Sequence, residues 1–179
     1  GGGNTLVVIP GYTTKTWNGT SAPDSNVAES NYTIDKYVRT YNNAMASFVY
    51  GQGTSAFGEA LHSFVAGPMN KTSSQASFIL GYLNTVETNS GFGSVIGAKN
   101  TLSNSKMSHV KGSWNSLTDA DYSYVTGTKN TITNSDITLA IGNNNSVTNA
   151  YRSHVIGSDN TNVGSFYASI FGNLNKTTN

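Results

Sequence analysis

Apolar residues recur in this chain as a short phrase, two strand-like residues closed by a glycine. It reads Ser-Phe-Val-Tyr-Gly at 47–51, Ser-Phe-Val-Ala-Gly at 63–67 and Ser-Phe-Ile-Leu-Gly at 77–81. It continues as Gly-Ser-Val-Ile-Gly at 93–97, Ser-His-Val-Lys-Gly at 108–112 and Ser-Tyr-Val-Thr-Gly at 123–127. Thr-Leu-Ala-Ile-Gly at 138–142, Ser-His-Val-Ile-Gly at 153–157 and Ala-Ser-Ile-Phe-Gly at 168–172 complete the series. The closing glycines are spaced by 16, 14 and 16 residues and then by 15 to the end. A fixed period of this length marks a repeat architecture. Three residues after most glycines stands an Asn (Asn70, Asn84, Asn100, Asn115, Asn130, Asn145, Asn160, Asn175). Beside a glycine, Asn suits a turn or left-handed backbone, because its short amide can bond its own main chain. A second apolar column follows at Val86, Leu102, Leu117, Ile132 and Val147, then a small residue at Ser105, Ala120, Ser135, Ala150 and Ser165. The pattern predicts two short strands and two tight turns per unit, too few residues for a strand–helix unit.

One such unit cannot fold alone. The two or three aliphatic side chains it can bury do not offset the ordering of its backbone. Stacking supplies the rest through hydrogen bonds between successive coils. The fold class expected is all-β, a parallel solenoid of about nine coils of 14–16 residues spanning about 43 Å at the usual strand spacing.

Strand alternation sorts the columns by side. Two residues before each glycine stand Val49, Val65, Ile79, Val95, Val110, Val125, Ala140, Val155 and Ile170, uniform enough to face inward. Their neighbours point outward and vary: Phe48, Phe64, Phe78, Ile96, His109, Lys111, Tyr124, Leu139, Ile141, His154, Ile156 and Phe171. A stripe this apolar is an interaction surface, and contact with further copies of the same chain is its economical reading. A further partly apolar line runs through Phe92, Met107, Tyr122, Ile137 and Tyr167.

These phrases resemble the YadA-like heads of trimeric autotransporter adhesins, surface proteins of Gram-negative bacteria whose repeats contain Ser-x-Ala/Val-x-Gly. The stretch at 51–67 carries that look. So do the coils at 97–112 and 127–142, where Asn-Thr-Leu-Ser-Asn-Ser and Asn-Thr-Ile-Thr-Asn-Ser lead into the next strand. The resemblance covers residues 44–179 and implies a left-handed parallel β-roll assembled as a homotrimer. It implies a non-catalytic head that attaches to host cells or extracellular matrix through a host protein receptor. Such a head sits at the cell surface, joined to the outer membrane only by a C-terminal stalk and anchor that lie outside this sequence. The outward column above then becomes the trimer interface.

Residues 1–43 stand outside the repeat and hold Tyr12, Trp17, Tyr32, Tyr37 and Tyr41. They read as a cap over the open end of the solenoid, or as an aromatic tip that touches a ligand. Ile34, Tyr37, Val38, Tyr41 and Met45 have helical spacing, while Tyr32, Ile34, Lys36 and Val38 alternate like a strand.

Composition narrows the chemistry. Of 179 residues only 11% are charged, against roughly 25% in ordinary globular proteins. The net charge is +1 with no block of like charges, which argues against nucleic acid or an anionic membrane as partner. Cysteine is absent, so neither a disulfide framework nor a thiolate metal site is possible. The apolar run from Leu6 to Ile9 is too short to span a membrane.

No catalytic constellation emerges, and no cofactor is expected. Of His62, His109 and His154, the last two lie three coils apart, roughly 14 Å, too far to share a metal. Around a threefold axis, copies of His109 beside Lys111 would either hold an anion or pack as interface histidines. Asp119, Asp121 and Asp136 read as turn carboxylates, and no metal site is expected. The turn after each glycine varies most, and there Met69, Tyr82, Leu83 and Trp114, with Trp17 from the leading segment, are the candidate receptor contacts. Met69, Leu83 and Trp114 are expected to form one patch; packing against a neighbouring protomer competes as their role. One alternative is ice binding by a hydroxyl ladder, from Thr101/Ser103, Ser116/Thr118, Thr131/Thr133 and Ser146/Thr148, with Glu87 and Val163 as blemishes. A polysaccharide lyase on a right-handed β-helix would need clustered acids and Arg, but only Arg39 and Arg152 exist.

Overall fold

The computed structural model describes residues 4–5, 16–17, 48–51, 54–56, 60 and 62–179. Among them there is no helix, and the repeat forms a parallel β-solenoid of about eight turns. Ahead of the repeat, β1 (Asn4–Thr5) pairs antiparallel with β2 (Thr16–Trp17). The helix-or-strand alternatives at residues 32–45 lie outside the described residues, as does most of the leading segment.

Strands alternate along the chain between two nine-stranded parallel sheets. The first sheet is built from β3 (Phe48–Tyr50), β5 (Phe64–Ala66), β7 (Phe78–Tyr82), β9 (Ser94–Ala98), β11 (His109–Ser113), β13 (Tyr124–Thr128), β15 (Leu139–Asn143), β17 (His154–Ser158) and β19 (Ser169–Asn173). The second holds β4 (Ser55–Ala56), β6 (Lys71–Thr72), β8 (Thr85–Val86), β10 (Thr101–Ser103), β12 (Ser116–Thr118), β14 (Thr131–Thr133), β16 (Ser146–Thr148), β18 (Thr161–Val163) and β20 (Lys176–Thr178). Strands pair strictly with the preceding and following turn, so Gly97, Gly112, Gly127, Gly142 and Gly157 lie side by side. The uneven early spacings do not disturb this register: Thr72 pairs with Val86 and Ile79 with Val95. The lost or gained residue falls between a second-sheet strand and the next first-sheet strand.

Both apolar columns face inward as expected. Val95, Val110 and Val125 of the first sheet and Leu102, Leu117 and Ile132 of the second belong to one buried cluster running the length of the rod. The core is one residue thick from each side. In β18, Asn162 takes the core position and donates from Nδ2 to Ser153 Oγ at 3.0 Å.

The seam glycines are required twice over. Gly127 has φ of +125°, and a Cβ there would stand 1.8 Å from the carbonyl oxygen of Gly142. No side chain fits between turns this close.

One expectation is corrected. The Asn column does not make the turn. The left-handed residue is the one before it, with φ of 57° at Lys99, 61° at Trp114 and 58° at Lys129. The Asn side chains point inside and form a continuous ladder. Asn115 donates to Asn100 Oδ1 from its backbone N–H and from Nδ2, both at 3.0 Å, and from Nδ2 to the Gly127 carbonyl at 2.9 Å. Asn130 repeats the arrangement on Asn115 and Gly142. The demand comes from the seam itself: the glycine carbonyl, partly buried where the turns approach closely, takes its donor from the Asn inside. A second ladder uses hydroxyls, the N–H of Ser123 bonding Ser108 Oγ and that of Thr138 bonding Ser123 Oγ.

Candidate binding surfaces

With the interior committed to core and ladders, chemistry is left to the outer faces and the corners. On the outer face of the first sheet the parallel register aligns like positions of every turn. Phe48 stacks on Phe64 with ring centroids 4.9 Å apart, and Phe64 on Phe78 at 5.2 Å. Further along, His109 tilts against Tyr124 at 6.5 Å. Ser94, Ile96, His109, Val110, Lys111 and Tyr124 line a shallow depression of about 160 Å³. All twelve outward residues named from the sequence lie on this face. Phe48, Phe78, Ile96, His109, Lys111, Tyr124, His154 and Phe171 are exposed, and Phe64, Leu139, Ile141 and Ile156 are half-buried. Register puts Tyr124 and Leu139 between His109 and His154, so the two histidines do not meet within the chain.

The corner after each seam glycine joins the two sheets. Met69, Tyr82 and Trp114 are exposed there, Trp114 by 55% of its surface, and Leu83 is half-buried. Met69 and Leu83 stand on adjoining turns, and Trp114 lies two turns beyond Leu83. Lys99 occupies the turn between Leu83 and Trp114, and its Nζ lies over the Trp114 ring, 4.1 Å from the centroid. A cation over an indole face is favourable by about 0.5–1 kcal/mol at an exposed site. Lys99 stands in the same turn series but was not among the candidate contacts; the signal for it was its place fifteen residues before Trp114. Trp17 lies in β2, paired with Asn4, and its side chain lies outside the described residues.

The opposite turns carry Asp119, Asp121 and Asp136. Asp121 Oδ1 accepts the N–H of Lys106 at 2.6 Å, and Asp136 Oδ1 that of Asp121 at 2.9 Å. Asp119 accepts from Asn104 Nδ2. These carboxylates tie neighbouring turns together. Among the described residues no group of three His, Asp or Glu side chains converges as a metal site would require. Nor is any helix there long and apolar enough to cross a membrane.

Comparison with family models, curated proteins and solved structures gives no match to this chain.

Proposed function

We propose that this protein is a non-enzymatic attachment head of the YadA-like type, a left-handed β-roll of about nine coils that assembles as a homotrimer. It binds a host cell or the extracellular matrix through a protein receptor, at the surface of a Gram-negative bacterium. The observation that carries this reading is the outer face of the first sheet. A lone rod of this kind would leave Phe48, Phe78, Ile96, Tyr124 and Phe171 in water along its whole length. A largely apolar face of this length, broken by the exposed His109, Lys111 and His154, is what a self-association surface provides. With that face closed by sister chains, the corner of Met69, Tyr82, Leu83 and Trp114 remains outside as the receptor-facing edge. Presented three times over, a modest contact there gains strength by multivalency.

The test is molar mass in solution by light scattering behind a sizing column. A value near three times 18.9 kDa supports the trimer and justifies screening matrix proteins and receptors against it. A monomer with the stripe exposed sinks the reading.

A further inference from the structure

The outer face of the second sheet has a chemistry of its own. Register places Thr101, Ser116, Thr131, Ser146 and Thr161 in one row, and Ser103, Thr118, Thr133 and Thr148 in a second, which meets Val163 in β18. Within each row neighbours are about 4.8 Å apart, and the rows about 6.7 Å apart. None of the nine side-chain hydroxyls is engaged by another protein group. No charged side chain interrupts the two rows between Glu87 in the turn before and Lys176 in the turn after.

A hydroxyl both donates and accepts. The fitting ligand is therefore neutral, offers donors and acceptors alternately, and repeats in two dimensions as the face does. The face covers only on the order of 200 Å², well short of the roughly 800 Å² per partner of a stable protein interface. It also lacks the Trp, Tyr or Arg anchors on which protein contacts depend. It has no ring for a sugar to stack on and no charge for an ionic polymer. Ordered water meets every condition.

We propose that the hydroxyl grid of β10, β12, β14, β16 and β18 binds the surface of ice. This site is separate from the receptor corner and does not depend on the chain being an adhesin.

The experiment follows the intact protein in a slowly growing ice front and images single crystals. The expected result is enrichment in the ice fraction and faceted crystals. Thr131→Lys puts an ammonium group in mid-grid and should abolish both effects. The fold accepts lysine in that row, since Lys71 and Lys176 already occupy it, and circular dichroism checks that the variant is folded. Tyr122→Ser, on a turn outside the grid, should keep the enrichment. Exclusion of the native chain from ice overturns the proposal, as does a folded Thr131→Lys variant that is retained like the native chain. Retention on microcrystalline cellulose or chitin with exclusion from ice also overturns it, and reassigns the face to a polysaccharide.

Discussion

The two sheets share an interior and differ outside. Inward, most strands supply one buried residue, and the apolar ones from Val65 to Ile170 pack as a single cluster. Outward, the first sheet changes residue type at almost every turn, from Phe78 through Ser94 and His109 to Tyr124 and Leu139. The second repeats small hydroxyls over five strands. Both faces have the same backbone geometry, so strand formation does not explain the difference. Stacking dictates what stands inside and leaves the outside to whatever each face meets. A varied apolar face fits a partner that is itself irregular, as a folded protein is; a uniform polar face fits something periodic.

That contrast can be attacked from the inside outward. Gly127→Ala strikes the seam both sheets depend on, since the added methyl meets the Gly142 carbonyl at 1.8 Å. It should cost roughly 4 kcal/mol or more, read as a fall in the urea midpoint. Leu117→Ala opens a cavity in the fully buried column and should cost about 2–5 kcal/mol by the same measurement. Asn130→Ala removes the Nδ2 donor to Asn115 Oδ1 and the Gly142 carbonyl, and strands the N–H of Asn145. A loss of about 1–3 kcal/mol is expected, with faster amide exchange at residues 142–145; unchanged exchange there would deny the ladder any part in cohesion. The outer faces should respond least. Thr131→Lys should shift stability by no more than about 0.5 kcal/mol and leave the solution mass unchanged. Tyr124→Lys should be as mild in stability yet, on the proposed trimer, reduce the mass to that of a monomer. If both lysine variants behaved alike in mass, the division of labour between the faces would fall.

The period and the inward columns were legible because stacking imposes the same demand at every turn. Val95, Val110 and Val125 face the same neighbours above and below, so selection for packing writes nearly the same letter each time. The Asn column was equally visible, but its role was not. Proximity to glycine suggested a turn residue, whereas the left-handed conformation falls on Met69, Lys99, Trp114 and Asp159, residues with no common preference for it. The stack holds the backbone there whatever the side chain, so local propensity carried no signal. The Asn ladder depends on a carbonyl laid bare by glycine one turn away. The corner site was half legible for a related reason. Trp114 was noticed as an aromatic in a polar turn, but Lys99 gains meaning only through the turn that stacks on it.

The seam has a mechanical corollary. Each turn occupies about 4.8 Å of the rod's length but contains some fifteen residues that extend to about 50 Å when pulled straight. A tether drawn from one end therefore loads a single edge turn at a time, and every turn that peels away lengthens the molecule roughly tenfold relative to the space it filled. The next Asn and its glycine carbonyl then become the new edge, presenting the same bonds to the same force. Tension would be met by a series of equal yielding steps, a slow shock absorber in place of a single break.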